Sequence, residues 1–366
     1  MQAHQHDYTA AMKAGISSVE TLPACLIYAR KALMEGHSFC LARFPGESKL
    51  RYFAEAREIG TGPSKGSRFI ARDWSGKLYL EWQEMEPTSD ADLREDHAGH
   101  FSWPDWKVDL QSGGSYASYA REFAEAMGVI ANSELKKLVL SRVKTKVLSP
   151  EFDVFELLLQ LEKAYPQALV HLMAHPSFGI WVGASPEVLL KGVNGHWHTY
   201  SLAGTRKAGS EDAWPKKELE EQEFVSEHIR SVLVGRGMSF TEKGPYTVEA
   251  GAVEHLCTQF DFEKLGVLEH LPQELHPTPA VAGLPVADSR KAIERVEQHQ
   301  RGLYTGYLGC IDPHGGASLY VNLRCAQLWK DRAALYLGGG LTTDSELEKE
   351  WSETELKALT LEKFLA

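Results

Sequence analysis

From Leu169 to Gly204 the chain reads LVHLMAHPSFGIWVGASPEVLLKGVNGHWHTYSLAG, and this stretch decides the fold class. LVHLMAHPS and FGIWVGAS are apolar runs that turn at Pro176-Ser177, which makes them one hairpin. EVLLKGV and HWHTYSLAG flank Asn194-Gly195, a pair that reaches positive φ easily and so suits a two-residue hairpin loop. Consecutive hairpins build antiparallel sheet, because parallel neighbours need a long crossover between them.

The same pattern extends outward. YTGYLGCID, ASLYVNLRCAQLW and ALYLGGG read as three strands joined by the turns PHGG and KDRA. Upstream, a helix over Tyr119–Asn132 precedes a strand in KKLVLSRVKTKVL, and Phe155, Leu158, Leu159 and Glu162 follow helical spacing. Residues 1 to 115 alternate strand-like runs (Ser38–Phe44, Phe69–Ala71, Leu78–Trp82) with polar connections, and Ser112-Gly113-Gly114-Ser115 reads as an internal seam. Helices lie between groups of hairpins without βαβ alternation. The expected class is α+β, with large antiparallel sheets packed by helices in a two-layer α/β sandwich.

Composition narrows the function. The 366 residues are 43% hydrophobic and 24% charged, ordinary globular usage that argues against a disordered, collagen-like or coiled-coil chain. Thirty-nine basic residues stand against 50 acidic ones, a formal net charge of −11, so nucleic acid is not an expected partner. A small anionic substrate needs a local positive site or a metal against that average field. No stretch reaches the roughly 18 uninterrupted apolar residues of a membrane helix. The start, MQAHQHDYTAAMKAG, lacks a basic segment followed by an apolar core. A cytoplasmic protein is expected, with His4 and His6 at a solvated end. Cys25, Cys40, Cys257, Cys310 and Cys325 show no CxxC spacing and read as buried thiols.

Several residues carry possible chemistry. Ser345 and Glu348 fit a capping box opening the last helix. Glu350, Glu353 and Lys357 then share one face, just after Gly338-Gly339-Gly340. That face is either a site or a solvated charged surface. A helix over Lys217–Leu233 carries Val225, Ile229, Val232 and Leu233 as its apolar stripe, with Glu220, Glu223 and Glu227 on another face. Acids so spaced repel one another; they are surface groups or are partly recruited by a cation. Mg²⁺ is commonly held by one or two carboxylates, with water and a substrate oxygen completing its shell. Lys137 opens the LVLSR strand and Glu187 follows the GASP turn, places where either residue type is usually solvated. Arg324 lies amid the apolar LYVNLRCAQL, where a charge calls for an anionic partner.

Taken in order, KLVLSR (from Lys137), GASPEVLL, SLAGTRKAG, SEHI (from Ser226), HPTPAVAG, YTGYLG, LYVNLRCAQL, LGGGL and EWSETELK (from Glu350) resemble the chorismate-utilising enzymes. The resemblance covers residues 115 to 366 and rests on the ordered set. It implies a single chorismate-binding domain over 1–366, with a divergent N-terminal part. Lys137 looks like the lysine that activates water in isochorismate and salicylate synthases, where ammonia-using anthranilate synthases carry a different residue. Ala203 stands where aminodeoxychorismate synthases resemble PIKGT with a nucleophilic lysine. HPTPAVAG is closer to isochorismate synthases than to the PSVTVTG-like block of salicylate synthases.

The resemblance therefore implies a reversible, Mg²⁺-dependent isomerisation of chorismate, in which water adds at C2 and the C4 hydroxyl departs. It makes Lys137 the base and Glu187 the acid, whose pKa must be raised. Glu227 and Glu353 match the Mg²⁺ ligands. Arg324 would take the pyruvyl carboxylate, with Lys357 nearby. Gly204, Thr205, Ala280 and Gly338 match substrate-contacting positions where bulk would intrude. His255 and His276 match family positions without an assigned role and read as structural. One departure stands out: a basic KDR-like segment often precedes the family's EH pair, whereas Glu223-Phe224-Val225-Ser226 precedes Glu227-His228 here. Glu223 itself reads as a surface group. No amidotransferase subunit is expected. The rivals are a salicylate synthase, an ammonia-using anthranilate synthase component and an idle chorismate-binding protein. The pathway served, whether menaquinone, catechol siderophore or salicylate, is not legible in the residues.

Overall fold

The computed structural model describes residues 23–54, 66–86, 103, 114–210, 212–250, 253–263, 266, 268 and 270–365. In chain order they form α1 (Ala24–Met34), β1 (Phe39–Arg43), β2 (Arg51–Ala54), β3 (Arg68–Arg72), β4 (Tyr79–Met85), α2 (Tyr116–Ala131), β5 (Lys137–Val147), α3 (Val154–Ala164), β6 (Leu169–His175), β7 (Gly179–Ser185), β8 (Val188–Val193) and β9 (His196–Lys207). Then come α4 (Lys216–Gly235), β10 (Phe240–Ala250), β11 (Val253–Glu263), α5 (Leu271–Leu275), β12 (Gly283–Leu284), α6 (Val286–Val296), β13 (Tyr307–Ile311), β14 (Ala317–Val321), β15 (Cys325–Leu328), β16 (Arg332–Leu341) and α7 (Leu347–Glu362).

All the strands join one antiparallel sheet, ordered β10-β11-β9-β8-β14-β13-β3-β4-β2-β1-β6-β7-β15-β16-β5-β12. The sheet curls. β14 and β1 stand five strand spacings apart, about 24 Å if the sheet were flat. Yet the ring of Phe44, just past β1, lies 6.4 Å from that of Tyr320 on β14. The enclosed face is an aromatic core of Phe53, Phe69, Trp82, Trp181, Tyr320 and Tyr336. Helices cover the outside in two groups: α1, α3 and the end of α7 pack on β1, β6 and β7, while α2, α4, α5 and α6 pack on β5, β8, β9 and β11. Strands buried on both faces explain why LVHLMA and GIWVGAS run apolar without alternation.

The α+β antiparallel architecture expected from the hairpins is the one observed, and both named turns, Pro176-Ser177 and Asn194-Gly195, fall between paired strands. Two local expectations fail. ASLYVNLRCAQLW is not one strand: it breaks into β14 and β15, and Arg324 in the break adopts the left-handed φ of 49°. The capping box does not form, because Ser345 Oγ donates to Glu350 Oε1 (2.7 Å) and the helix starts after Glu346. At Gly114 a Cβ would lie 1.7 Å from the Val143 carbonyl of β5; Ser112 and Gly113 lie outside the described residues, as do His4 and His6. Finally, the β10–β11 hairpin is not anticipated. β10 is a polar, exposed edge strand interrupted by Gly244-Pro245, so it carries little hydrophobic signal.

Strands from the first 115 residues lie mid-sheet, with β3 on β13 and β1 on β6. The five cysteines are all buried and unpaired. No helix among the described residues is long and apolar enough to cross a membrane.

Candidate active site

The site is built around the glycines of β16. A Cβ on Gly340 would lie 2.5 Å from Lys137 Cε, one on Gly339 would lie 3.0 Å from Glu350 Oε2, and one on Gly338 would lie 2.7 Å from the Tyr304 hydroxyl. Each glycine thus makes room for one polar side chain, and the same strand gathers three of them. Lys137, the first residue of β5, is 3% exposed and donates to Glu221 Oε1 in an ion pair.

Glu187 occupies the turn between β7 and β8. Burial pushes its carboxyl up to about 7, against the opposing pull of Arg324 and Lys137. Acid, lysine and arginine are therefore electrostatic neighbours. Arg324 joins the other two because of the β14–β15 break: its carbonyl accepts from Ala184 N at 3.1 Å, which fixes the backbone. Burial lowers the arginine's pKa, with Tyr304, Glu187 and Glu353 acting the other way. No hydrogen bond or ion pair joins its guanidinium to a described side chain. An arginine so placed can receive an anion through its planar fork.

Acids from α4 and α7 face the same space. Lys357 Nζ bridges Gly338 O at 2.8 Å and Glu353 Oε1 at 2.5 Å. Burial, then Arg324, lowers the Lys357 pKa, while Glu353 and Glu350 oppose them. Glu350 is raised, by burial first and also by Glu353. Lys217 and Lys357 act on both Glu221 and Glu350, so these carboxylates share one electrostatic neighbourhood. Among the described residues, no three His, Cys, Asp or Glu side chains converge as a closed metal cage. An open set of hard carboxylate oxygens nevertheless suits a divalent ion that keeps water and substrate oxygens.

Of the expected residues, Lys137, Glu187, Arg324, Glu353, Lys357 and Gly338 come together here. Gly204, at φ 72°, adjoins them: its carbonyl accepts from His255 Nδ1 at 2.9 Å, and a Cβ would meet Glu218 at 3.2 Å. Thr205 follows it in β9, described in its backbone only. Ala280 is partly exposed on the segment leading to β12. Glu227 does not join them. It is exposed, whereas α4 packs inward through Gln222, Val225, Ser226 and Ile229. Six residues past Glu221, it lies about 9 Å further along the helix and about 120° away around it. Glu221 is the α4 acid that pairs with Lys137. A signal existed: Lys217-Glu218 is a basic-acidic pair ahead of Glu221, the kind of segment missing ahead of Glu227.

The two histidines part company. His276 is buried, hydrogen-bonded to Thr305 O at 2.6 Å and pushed down to about 4 by burial, a structural group. His255 faces the site; burial lowers its pKa, and Arg324, Lys357 and Glu221 all act on it. Tyr304, beside Gly338 and Arg324, is a further site residue that spacing alone does not reveal. Glu223 pairs with Arg230 at the surface, and Ala203 is buried.

A strand-end lysine, an acid of raised pKa and an arginine with no bonded partner among the described side chains, near helix carboxylates, make a set suited to a small anionic substrate. Residues 79–366 match the family of chorismate binding enzymes, and the chain belongs to it. The isochorismate synthase EntC of Escherichia coli K12 is 28% identical over 268 residues, 69% of this chain and 68% of that protein. The isochorismate synthase DhbC of Bacillus subtilis is 27% identical over 333 residues, 81% and 77% of the two chains. The solved structure of MenF, the menaquinone-specific isochorismate synthase of Escherichia coli, superposes with a TM-score of 0.72 at 20% identity, covering 92% of this chain and 91% of that one.

Proposed function

We propose that the chain is an isochorismate synthase, interconverting chorismate and isochorismate by adding water at C2 and expelling the C4 hydroxyl. The observation that carries this reading is the electrostatic coupling of Glu187 to both Lys137 and Arg324, with no described side chain bonded to the Arg324 guanidinium. Glu187, raised to about 7, is poised to protonate the departing hydroxyl. Lys137, in its neutral amine form, orients the attacking water and takes its proton, while Glu187 gives its own to the departing C4 hydroxyl. Arg324 holds the pyruvyl carboxylate through its planar fork, and Lys357 adds a point charge. Gly204, Thr205, Ala280 and Gly338 leave space for the ring.

Glu221 and Glu353 would hold Mg²⁺, with Glu350 beside them. The ion, when bound, neutralises the ring carboxylate of the substrate. We take the whole of 1–366 as one chorismate-binding domain working without an amidotransferase subunit, and place it in the cytoplasm.

The test is product analysis by chromatography after incubating purified protein with chorismate and Mg²⁺ in the absence of ammonia. Isochorismate without salicylate is expected. Salicylate would shift the reading to the pyruvate-eliminating relative, and anthranilate formed only with ammonia would overturn water as nucleophile. No conversion would leave an idle binding protein.

A further inference from the structure

Behind the site lies a buried ion pair that the chemistry above does not use. Glu297 and Arg301, just past α6, have side chains 3% and 1% exposed and are joined twice, at 2.6 and 2.9 Å. Arg301 has more to give than one carboxylate can accept. Its Nη2 also donates to Val139 O of β5 at 2.8 Å, and its Nη1 to Val281 O at 2.9 Å and Thr305 Oγ1 at 3.3 Å. Glu297 Oε1 in turn accepts from Ser141 N and Ser141 Oγ, both at 2.8 Å.

These bonds meet the backbone close to the reacting groups. Val139 lies two residues from Lys137, and Val281 is next to Ala280. The two segments are themselves joined by Val139 N to Ala282 O at 2.9 Å. Thr305 N donates to Asn322 O at 2.9 Å, two residues before Arg324. We propose that the Glu297–Arg301 pair is a positioning device for the reaction, locking the strand of Lys137 to the Ala280 segment and, through Thr305 and Asn322, to the turn of Arg324. Neither residue is among the reacting groups, so both act through others. Stability alone does not call for them, because a buried ion pair replaced by apolar residues of similar volume is often neutral or better.

The proposal rests on the isochorismate synthase reading, and its test separates the two. Arg301→Lys, Glu297→Gln and the double variant Glu297→Met with Arg301→Met are made in the full chain. Thermal melts, kcat and KM for chorismate, and amide hydrogen exchange at Val139 and Ser141 are then measured. The double variant is expected to melt higher than Glu297→Gln, which leaves the arginine charge unpaired. Its kcat should still fall about tenfold to a hundredfold, the scale of a small misplacement of reacting groups. Exchange at Val139 and Ser141 should quicken in every variant. Arg301→Lys keeps the charge but not the fork, so it should lose kcat while remaining folded; Glu297→Gln covers failure of the arginine variants to fold. A folded double variant with wild-type kcat, or unchanged exchange at both amides, overturns the proposal. If the unaltered protein does not isomerise chorismate, the functional reading fails, while the exchange comparison still decides the positioning claim.

Discussion

Lys137 Nζ and Glu221 form an ion pair inside the site, joining the first residue of the β5 strand to the α4 helix. Burial alone would raise the Glu221 carboxyl, but Lys137, with Lys217 and Lys357 beyond it, outweighs burial and holds it below its usual value. Glu221 therefore stays ionised and faces the reacting groups, whereas Glu227 points to solvent. Glu221→Gln should lower turnover on the order of 10- to 100-fold at fixed Mg²⁺ and shift the Mg²⁺ dependence upward. Glu227→Gln should stay within about twofold of wild type, as surface substitutions do. Initial rates across a Mg²⁺ titration check both, and the reverse ranking would return the ligand role to Glu227.

Glu187 sets an alkaline limit. With its carboxyl raised from 4.5 to about 7, it carries the proton needed by the leaving hydroxyl below that pH and loses it above. The pH profile of kcat should fall on the alkaline side near 7, and Glu187→Gln should lose about 10²- to 10⁴-fold in turnover. Stability follows with a definite sign. Between about 4.5 and 7 the folded carboxyl keeps a proton that the unfolded one has released, so wild type loses stability relative to Glu187→Gln as pH rises through that window. Paired melts from pH 4 to 8 read this difference, and a flat difference would mean that the proton is not held.

Much of this was legible in the residues, for reasons that differ by element. The hairpins at Pro176-Ser177 and Asn194-Gly195 announce themselves because turn chemistry is local. Lys137, Glu187, Arg324 and Lys357 carry the resemblance because each stands in a block of distinctive spacing. The choice between Glu221 and Glu227 was not legible by helical periodicity, since α4 is acidic on several faces and only its packing against β9 shows which acid turns inward. The break at Arg324 was hidden for the same reason: LYVNLRCAQL is a good strand by composition, and a tertiary bond from Ala184 N to the Arg324 carbonyl marks the interruption. His255 and Tyr304 needed the curl of the sheet, which no local window contains.

The glycine strand offers a test with little ambiguity of stability. At Gly340 the three atoms nearest a new Cβ are Cε, Nζ and Cδ of Lys137, the far end of a flexible side chain. Gly340→Ala should therefore fold, moving the lysine instead of the backbone. Turnover is expected to drop about a hundredfold, as displacement of a reacting group by about 1 Å can do. Gly338→Ala meets the Tyr304 hydroxyl at 2.7 Å and the Leu140 carbonyl at 3.3 Å, so it should cost stability as well as activity. Melting temperature and kcat measured on the two variants separate the cases; Gly340→Ala with full activity would show that Lys137 is not confined by that strand.

Arg324 should reveal a trade between stability and binding. Its guanidinium is partly buried and bonded to no described side chain, in a backbone conformation at φ 49° that residues other than glycine seldom adopt. Keeping a charge there costs folding free energy that only a bound anion offsets. Arg324→Met keeps the length and removes the charge, so its melting temperature should equal or exceed that of wild type without substrate. Losing a charge-assisted contact to a carboxylate is worth about 1.5–3 kcal/mol, which corresponds to a KM for chorismate raised about tenfold to a hundredfold. Arg324→Lys should fall between, keeping the charge but not the fork. Substrate-free melts together with steady-state kinetics decide the matter, because an arginine held there for the fold alone would show the opposite: a lower melting temperature and an unchanged KM.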